Sequence, residues 1–383
     1  MKIPFVTTQE ALAELCNELS HSAFVAIDTE FIREKTYYPQ LCLIQVASDS
    51  TLACIDPLAV KDLGPLEKIL YDDKITKVFH AARQDMEIFT LLFGRPPVPL
   101  FDTQIAASLL GASDQIGYAN LVNSVLGVQL DKSQSRTDWF KRPLDPAQIE
   151  YAADDVRYLV QVYHNQVAQL DQLGRAEWLR DDFAELTNPA TYQANTDNVW
   201  RKLGGINNLR GVQLAIALEL VRWRETMAVQ KDRPRKHILA DELIIDISRL
   251  RPKSLEELSS LRSAQSNIRE SYGPAIVENV IRALALPKES WPTLPAFSKP
   301  TVGEEATVDV LNALIKFAAH RDKIAPTALC GRKELESLVQ GERDLPILHG
   351  WRRQHGGETL MQFLNGELVL SAGENGLVLS PKL

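Results

Sequence analysis

A chain of 383 residues is too long for one comfortable hydrophobic core and suits two or three domains of roughly 100 to 200 residues each. With 45% hydrophobic and 24% charged residues it matches the average of globular proteins, which excludes wholesale disorder and fibrous architectures. Fifty acidic against 42 basic side chains give a net charge of −8, so a broadly basic nucleic-acid coat is excluded while a local basic strip is not.

No apolar stretch approaches the roughly 18 residues a membrane helix needs. The N-terminus meets Thr7, Thr8, Gln9 and Glu10 before a signal-peptide core could form, so the expectation is a cytoplasmic protein without a membrane partner. The cysteines Cys16, Cys42, Cys54 and Cys330 form no C-x-x-C pair, and the seven histidines complete no zinc spacing with them.

Three apolar runs, Phe24 to Ile27, Leu41 to Ala47 and Leu52 to Ile55, predict strands connected as a meander. A helix near Asp62 to Tyr71, a strand over Ile75 to His80 and a helix over Gln84 to Phe93 follow, so strands and helices alternate as in a sheet with helices on its faces. Further helical patterns cover Thr103 to Leu110 and Asn120 to Leu126. The strongest runs from Pro146 to Leu173, opened by Asp145, with Pro146 at the first helical position and Gly174 at its close. Beyond about residue 205 the strand signals fade. Arg210 to Gln230, Asp241 to Ile247, Leu255 to Leu261 and Tyr272 to Ala285 carry helical spacing and predict a small bundle. Pro287, Pro292, Pro295 and Pro300 then mark a semi-rigid linker before another helical segment. A faint repeat links the helical parts: Pro234 and Pro326 are each followed nine residues later by a leucine, in Glu242-Leu243 and Glu334-Leu335. Coincidence between unrelated helix pairs explains this equally well.

The chemistry-bearing residues lie in the first half. In Ala26-Ile-Asp28-Thr-Glu30-Phe31 two carboxylates follow an apolar strand at a spacing of two, so an extended backbone turns both to one face. Two anions about 4 Å apart repel by roughly 1 kcal/mol in water and about 4 kcal/mol at an effective dielectric of 20, and a divalent ion relieves that repulsion. An isolated D-x-E also marks an ordinary solvent-facing strand end. Asp85 stands near a strand-to-helix junction, where a carboxylate either caps the helix or projects toward a site. Tyr151 and Asp155, four apart on the long helix, share a face, and Asp154 points about 100° away. His80 reads as a structural hydrogen-bonding residue and Asp102 as a helix N-cap. Arg136, Lys141 and Arg142 lie in a polar loop where they either approach phosphates or are simply solvated.

Taken together, the strand D-x-E, the later Asp and the helical Y-x-x-x-D resemble the three exonuclease motifs of the DEDD superfamily, in its tyrosine subgroup. Phe24-Val-Ala-Ile-Asp-Thr-Glu-Phe31, Leu41-Cys-Leu-Ile-Gln-Val-Ala47, His80-Ala-Ala-Arg-Gln-Asp85, Phe101-Asp-Thr-Gln104 and Tyr151-Ala-Ala-Asp-Asp155 are similar to the bacterial ribonuclease D family. The region from about Arg210 to Ala285 resembles the HRDC domain of helicases and ribonuclease D. The resemblance implies a ribonuclease H-like α/β exonuclease domain over residues 1–190, with a mixed sheet flanked by helices. All-α HRDC-type domains would follow, one over 205–290 and a second, less well matched, over 303–375. It further implies a 3′-to-5′ exoribonuclease that trims structured RNA precursors such as tRNA and releases nucleoside 5′-monophosphates with two divalent ions, Mg2+ or Mn2+. Asp28 would bridge both ions, Glu30 and Asp155 would help hold the ion that activates water, and Asp85 would serve the other.

Tyr151, with an unperturbed pKa near 10, is a poor general base and is expected to orient the attacking water instead. From Arg210 to Lys253 there are ten Lys or Arg against six Asp or Glu, densest at Lys231, Arg233, Arg235 and Lys236, a patch suited to RNA phosphates or to plain solvation. RNA is the expected partner, with no obligate protein partner. A DNA exonuclease and a non-catalytic RNA-binding protein are the rival readings.

Overall fold

The computed structural model describes residues 3–113, 115–131, 134, 137–193, 199–261, 263, 266–293, 301–374 and 376–382. It divides into two compact units. One comprises Met1–Glu30, Leu41–Tyr192 and Lys299–Leu383, the other Phe31–Gln40 and Gln193–Ser298.

The first unit is built on six strands, β1 (Phe5–Val6), β2 (Phe24–Ile32), β3 (Gln40–Ala47), β4 (Leu52–Ile55), β5 (Thr76–Phe79) and β6 (Leu100–Asp102), ordered β1-β4-β3-β2-β5-β6. The sheet is mixed: β1 runs parallel to β4, β5 parallel to both β2 and β6, and β3 antiparallel to β4. Strand alternation divides the core. Val25 and Ile27 pack with Leu12, Leu66 and Phe89 of α1 (Gln9–Leu19), α2 (Gly64–Leu70) and α3 (Arg83–Phe93). Phe24 and Ala26 pack on the opposite side with Val156 and Leu159 of the long helix. Asp28 and Glu30 continue that second register, so the pleat turns them toward the long helix.

Three further helices, α4 (Thr103–Leu109), α5 (Tyr118–Leu126) and α6 (Pro146–Leu173), complete this side, and α7 (Arg180–Leu186) follows. The 28 residues of α6 start where the sequence predicts, because Asp145 and Gln148 form a reciprocal capping box around Pro146. They stop at Gly174, whose φ of +64° suits the left-handed cap. Asp102 caps α4 through Gln104 and Ile105 as expected, and its carboxylate also accepts from the amides of Ala81 and Ala82. It thereby fastens the turn that launches α3.

The second unit is helical: α8 (Val212–Gln230), α9 (Arg235–Ile238), α10 (Asp241–Leu250), α11 (Leu255–Ser259) and α12 (Ser266–Leu284) enclose Leu214, Leu220, Ile244, Ile247 and Val280. The connection after β2 belongs to this unit. Tyr37 and Tyr38 donate their amides to Asp232, and the Tyr37 hydroxyl donates to the buried Glu225, which also holds Arg235 in a two-pronged ion pair at 2.5 and 2.6 Å.

The C-terminal segment contains α13 (Val302–Asp322), α14 (Pro326–Leu329) and α15 (Arg332–Val339). Each long helix, α8 or α13, is followed by a proline, a four-residue helix and a further helix whose Leu243 or Leu335 is buried, which gives the faint sequence repeat a structural counterpart. The segment is fastened within the first unit. Trp351 stacks on Trp178 at 4.4 Å, Arg352 pairs with Asp182 at 2.8 Å, and Ala325 donates its amide to the Ser108 carbonyl at 2.7 Å. Gly357 allows a close approach here, because an added Cβ would lie 2.0 Å from the Ile347 carbonyl oxygen. The expected helical character does not extend to residue 375: Leu368–Gly373 and Gly376–Pro381 form an antiparallel hairpin, β7 and β8, through alternating Leu and Val. Of the prolines read as a linker, Pro295 and Pro300 lie outside the described residues, as does Arg136. Among the described residues no helix is long and apolar enough to cross a membrane.

Candidate active site

Carboxylate oxygens of Asp28, Glu30 and Asp155 lie within 4.8 Å of one another. Two come from the second half of β2 and one from the third turn of α6, so the crossing of that helix over the strand face creates the cluster. Asp85 joins from α3. It is not a cap, because the N-cap position is Ala82; Asp85 lies inside the first turn, is only 7% exposed and accepts a hydrogen bond from the Thr29 hydroxyl at 2.5 Å. Thr29 points to the face opposite Asp28, and that is how it reaches α3.

Electrostatics make this set unstable as a group of bare anions. Burial, followed by the repulsion of Asp155, holds the Asp28 carboxyl well above its ordinary range, and burial with the charge of Asp28 does the same to Asp85. Glu30 is pushed up to about 9, mainly by burial and then by Asp28, Asp155 and Asp85. Asp155 rises to about 7 through burial and the neighbouring Asp154. Asp28, Asp85 and Asp155 each raise at least one other acid of the set, so the four resist ionising together without a counter-charge, and hard oxygen donors at this separation fit a divalent cation of the magnesium or manganese kind.

Tyr151 sits one turn before Asp155. Burial first, then Asp155, Glu30 and Asp28, push its phenol to about 12, so it keeps its proton at neutral pH. Its ring lies against the buried Trp139, with centroids 6.2 Å apart and planes at 29°. Tyr118 is a neighbour that the sequence analysis did not single out. Its hydroxyl donates to the Asp154 carbonyl at 2.8 Å, and burial with Asp155 and Asp28 raises its pKa. A tyrosine at a helix start carries no sequence signal for this role. Asp154 itself pairs with Arg157, and both ring nitrogens of His80 are engaged, with Thr103 Oγ1 and the Ile116 carbonyl, each at 3.0 Å.

Among the expected phosphate contacts the structure separates several. Arg142 is not a solvated loop residue; it is folded inward onto Asp56. Arg235 pairs with Glu225 and lies over the Tyr37 ring at 4.9 Å, with its side chain still 40% exposed. Lys231 rests over the Tyr272 ring at 4.5 Å, and Lys231, Arg233 and Lys236 are exposed.

A family model described as 3′-5′ exonuclease matches residues 3–171, and one described as HRDC domain matches residues 213–280. Ribonuclease D of Gluconacetobacter diazotrophicus is 38% identical over 95% of this chain and 93% of its own length. Ribonuclease D of Bartonella henselae is 40% identical over 96% of this chain and 91% of its own. Among solved structures, Escherichia coli RNase D, described as an exoribonuclease involved in structured RNA processing, matches with a TM-score of 0.85 at 33% identity, covering 96% of this chain and 99% of that one. The catalytic core of RRP6 from Trypanosoma brucei matches with a TM-score of 0.60 at 26% identity, over 74% of this chain and 80% of that one.

Proposed function

Because the chain belongs to the ribonuclease D family and is a hydrolytic, metal-dependent 3′-to-5′ exoribonuclease that binds RNA, we propose that it trims the 3′ ends of structured RNA precursors such as tRNA, releasing nucleoside 5′-monophosphates with the help of two divalent ions. The observation that carries this is the convergence of Asp28, Glu30 and Asp155 beside Asp85. These four side chains hold the ions, Mg2+ or Mn2+. When bound, such ions supply a more acidic water and neutralise charge on the leaving 3′ oxygen.

The remaining work falls to the chain's own residues. Thr29 keeps Asp85 in one orientation, as hydrogen bonds behind metal-binding carboxylates generally do. Tyr151, protonated at neutral pH, orients the attacking water and takes no proton from it. Lys231, Arg233, Arg235 and Lys236 engage RNA phosphates, which need no base reading, and the pair that Arg235 forms with Glu225 holds the loop that carries them. Residues 1–190 carry the exonuclease domain, 205–290 the HRDC domain, and the helical part of 303–375, which ends at Leu364, a second HRDC-like module, a division supported by the paired order of long helix, proline, four-residue helix and helix.

Product analysis on a tRNA carrying a 3′ tail tests the proposal. Stepwise release of 5′-monophosphates that stops with chelator and is abolished in a folded Asp28→Asn protein is the expected result. Internal cleavage products, or near-normal turnover by Asp28→Asn, would contradict it.

A further inference from the structure

Arg142 lies in the loop that leads into α6, three residues after Trp139. Its guanidinium is committed to the protein interior by five hydrogen bonds among the described residues. Nε and Nη2 form a two-pronged pair with Asp56 at 2.6 and 2.8 Å, Nη2 donates to the Cys42 carbonyl at 2.6 Å, and Nη1 donates to the carbonyls of Trp139 and Lys141 at 2.7 and 2.9 Å. Asp56 is 3% exposed and immediately follows β4, and Cys42 is on β3. One planar cation therefore ties the loop to the rigid end of two strands, and its contact with the Trp139 carbonyl fixes the residue whose ring backs Tyr151. Among the described residues the Tyr151 side chain finds no hydrogen-bond partner; the indole is the wall its ring rests on.

We propose that Arg142, gripped by Asp56, is a positioning residue for hydrolysis: through Trp139 it sets the orientation of the Tyr151 phenol. The inference rests on the role given above to Tyr151. Misplacing a group that must hold a water by about 1 Å is enough to cost on the order of 100-fold in rate. A lysine keeps the charge of Arg142 but cannot reproduce a planar fork that serves one carboxylate and three carbonyls. A phosphate-binding role for Arg142 predicts the reverse pattern, tolerance of lysine with a change in KM and salt dependence.

The test is steady-state kinetics on a 3′-tailed RNA with the full-length wild type, Arg142→Lys, Tyr151→Phe and the double variant. Arg142→Lys is expected to lower kcat at least about tenfold with KM and salt dependence unchanged, and the double variant to fall no more than about twofold below Tyr151→Phe, because residues acting through one another are not additive. A raised KM with kcat intact overturns the proposal in favour of phosphate binding. Losses that multiply in the double variant, with Tyr151→Phe itself slow, overturn this inference and leave the role of Tyr151 standing. Undiminished kcat in Tyr151→Phe removes both. If thermal unfolding shows that Arg142→Lys does not fold, Trp139→Phe takes its place in the same cycle, with the same expected coupling and the same multiplying losses as the contrary result.

Discussion

At the scale of single residues, the proposed chemistry separates two kinds of loss. Removing the Tyr151 hydroxyl in Tyr151→Phe takes away an orienting hydrogen bond and touches no cation-binding oxygen. We expect kcat to fall about 100-fold while the magnesium concentration giving half-maximal rate stays within about twofold; a metal titration of the variant checks this, and equal losses in both would contradict the assignment. Thr29→Val should behave in the opposite way. Asp85 loses the donor that orients it, so half-saturation should need about tenfold more magnesium or greater, and Thr29→Ser should restore the wild-type titration. Asp28 and Glu30 were legible in the sequence because a strand repeats every two residues, and Tyr151 with Asp155 because a helix nearly repeats every four. Thr29, Trp139 and Asp56 were not. Their partners are 56, 12 and 86 residues away, and no local period announces such pairings.

At the scale of elements, the fastening of the β2–β3 connection has a pH signature. Burial alone would raise the Glu225 pKa, but hydrogen bonds from Arg235 and Tyr37, with the charges of Arg235 and Arg224, together hold it below its ordinary value. A carboxylate whose folded pKa is depressed contributes stability that is fully present above its unfolded pKa and is lost as the pH falls through the folded one. The thermal unfolding midpoint of Glu225→Gln should therefore lie below that of the wild type at pH 7, by about 3 °C or more, and the gap should narrow toward pH 3. A gap that is constant with pH would show that the charge of Glu225 is not what matters. Elements with strong internal patterns were readable: α6 was found at both ends because its capping residues are local. By contrast β1 has two residues and β6 three, and each exists through its neighbour, Phe5 beside Cys54 and Lys77 beside Leu100. The terminal hairpin was passed over although Asn365-Gly366 breaks the preceding helical run and Leu368-Val-Leu370 and Leu377-Val-Leu379 flank a glycine-bounded turn. Helix α1 was passed over although Thr8 caps it and Leu12, Leu15, Cys16 and Leu19 recur at helical spacing.

For the molecule as a whole, a net charge of −8 means that RNA must be drawn in by local charge against the overall field. Replacing Lys231, Arg233 and Lys236 together by Ala should raise KM for long structured RNA and leave kcat on short oligonucleotides unchanged. The dependence of log KM on log salt should flatten by about 2, as expected for three lost contacts to a single strand. Unaltered affinity at every salt concentration would reject the assignment. The two kinds of architecture, α/β and then helical, were visible in the sequence from where strand signals stop. The membership of the compact units was not, because Tyr37 lies 188 residues from Glu225 and Trp178 lies 173 from Trp351. Neither unit is an unbroken stretch of polypeptide, and this has a consequence for anyone who treats the molecule as interchangeable cassettes. A gene fusion that transplants residues 199–293 alone would carry an acidic socket without its tyrosine plug, so the donor fragment must bring the ten-residue loop 31–40 along, or the recipient must supply a substitute.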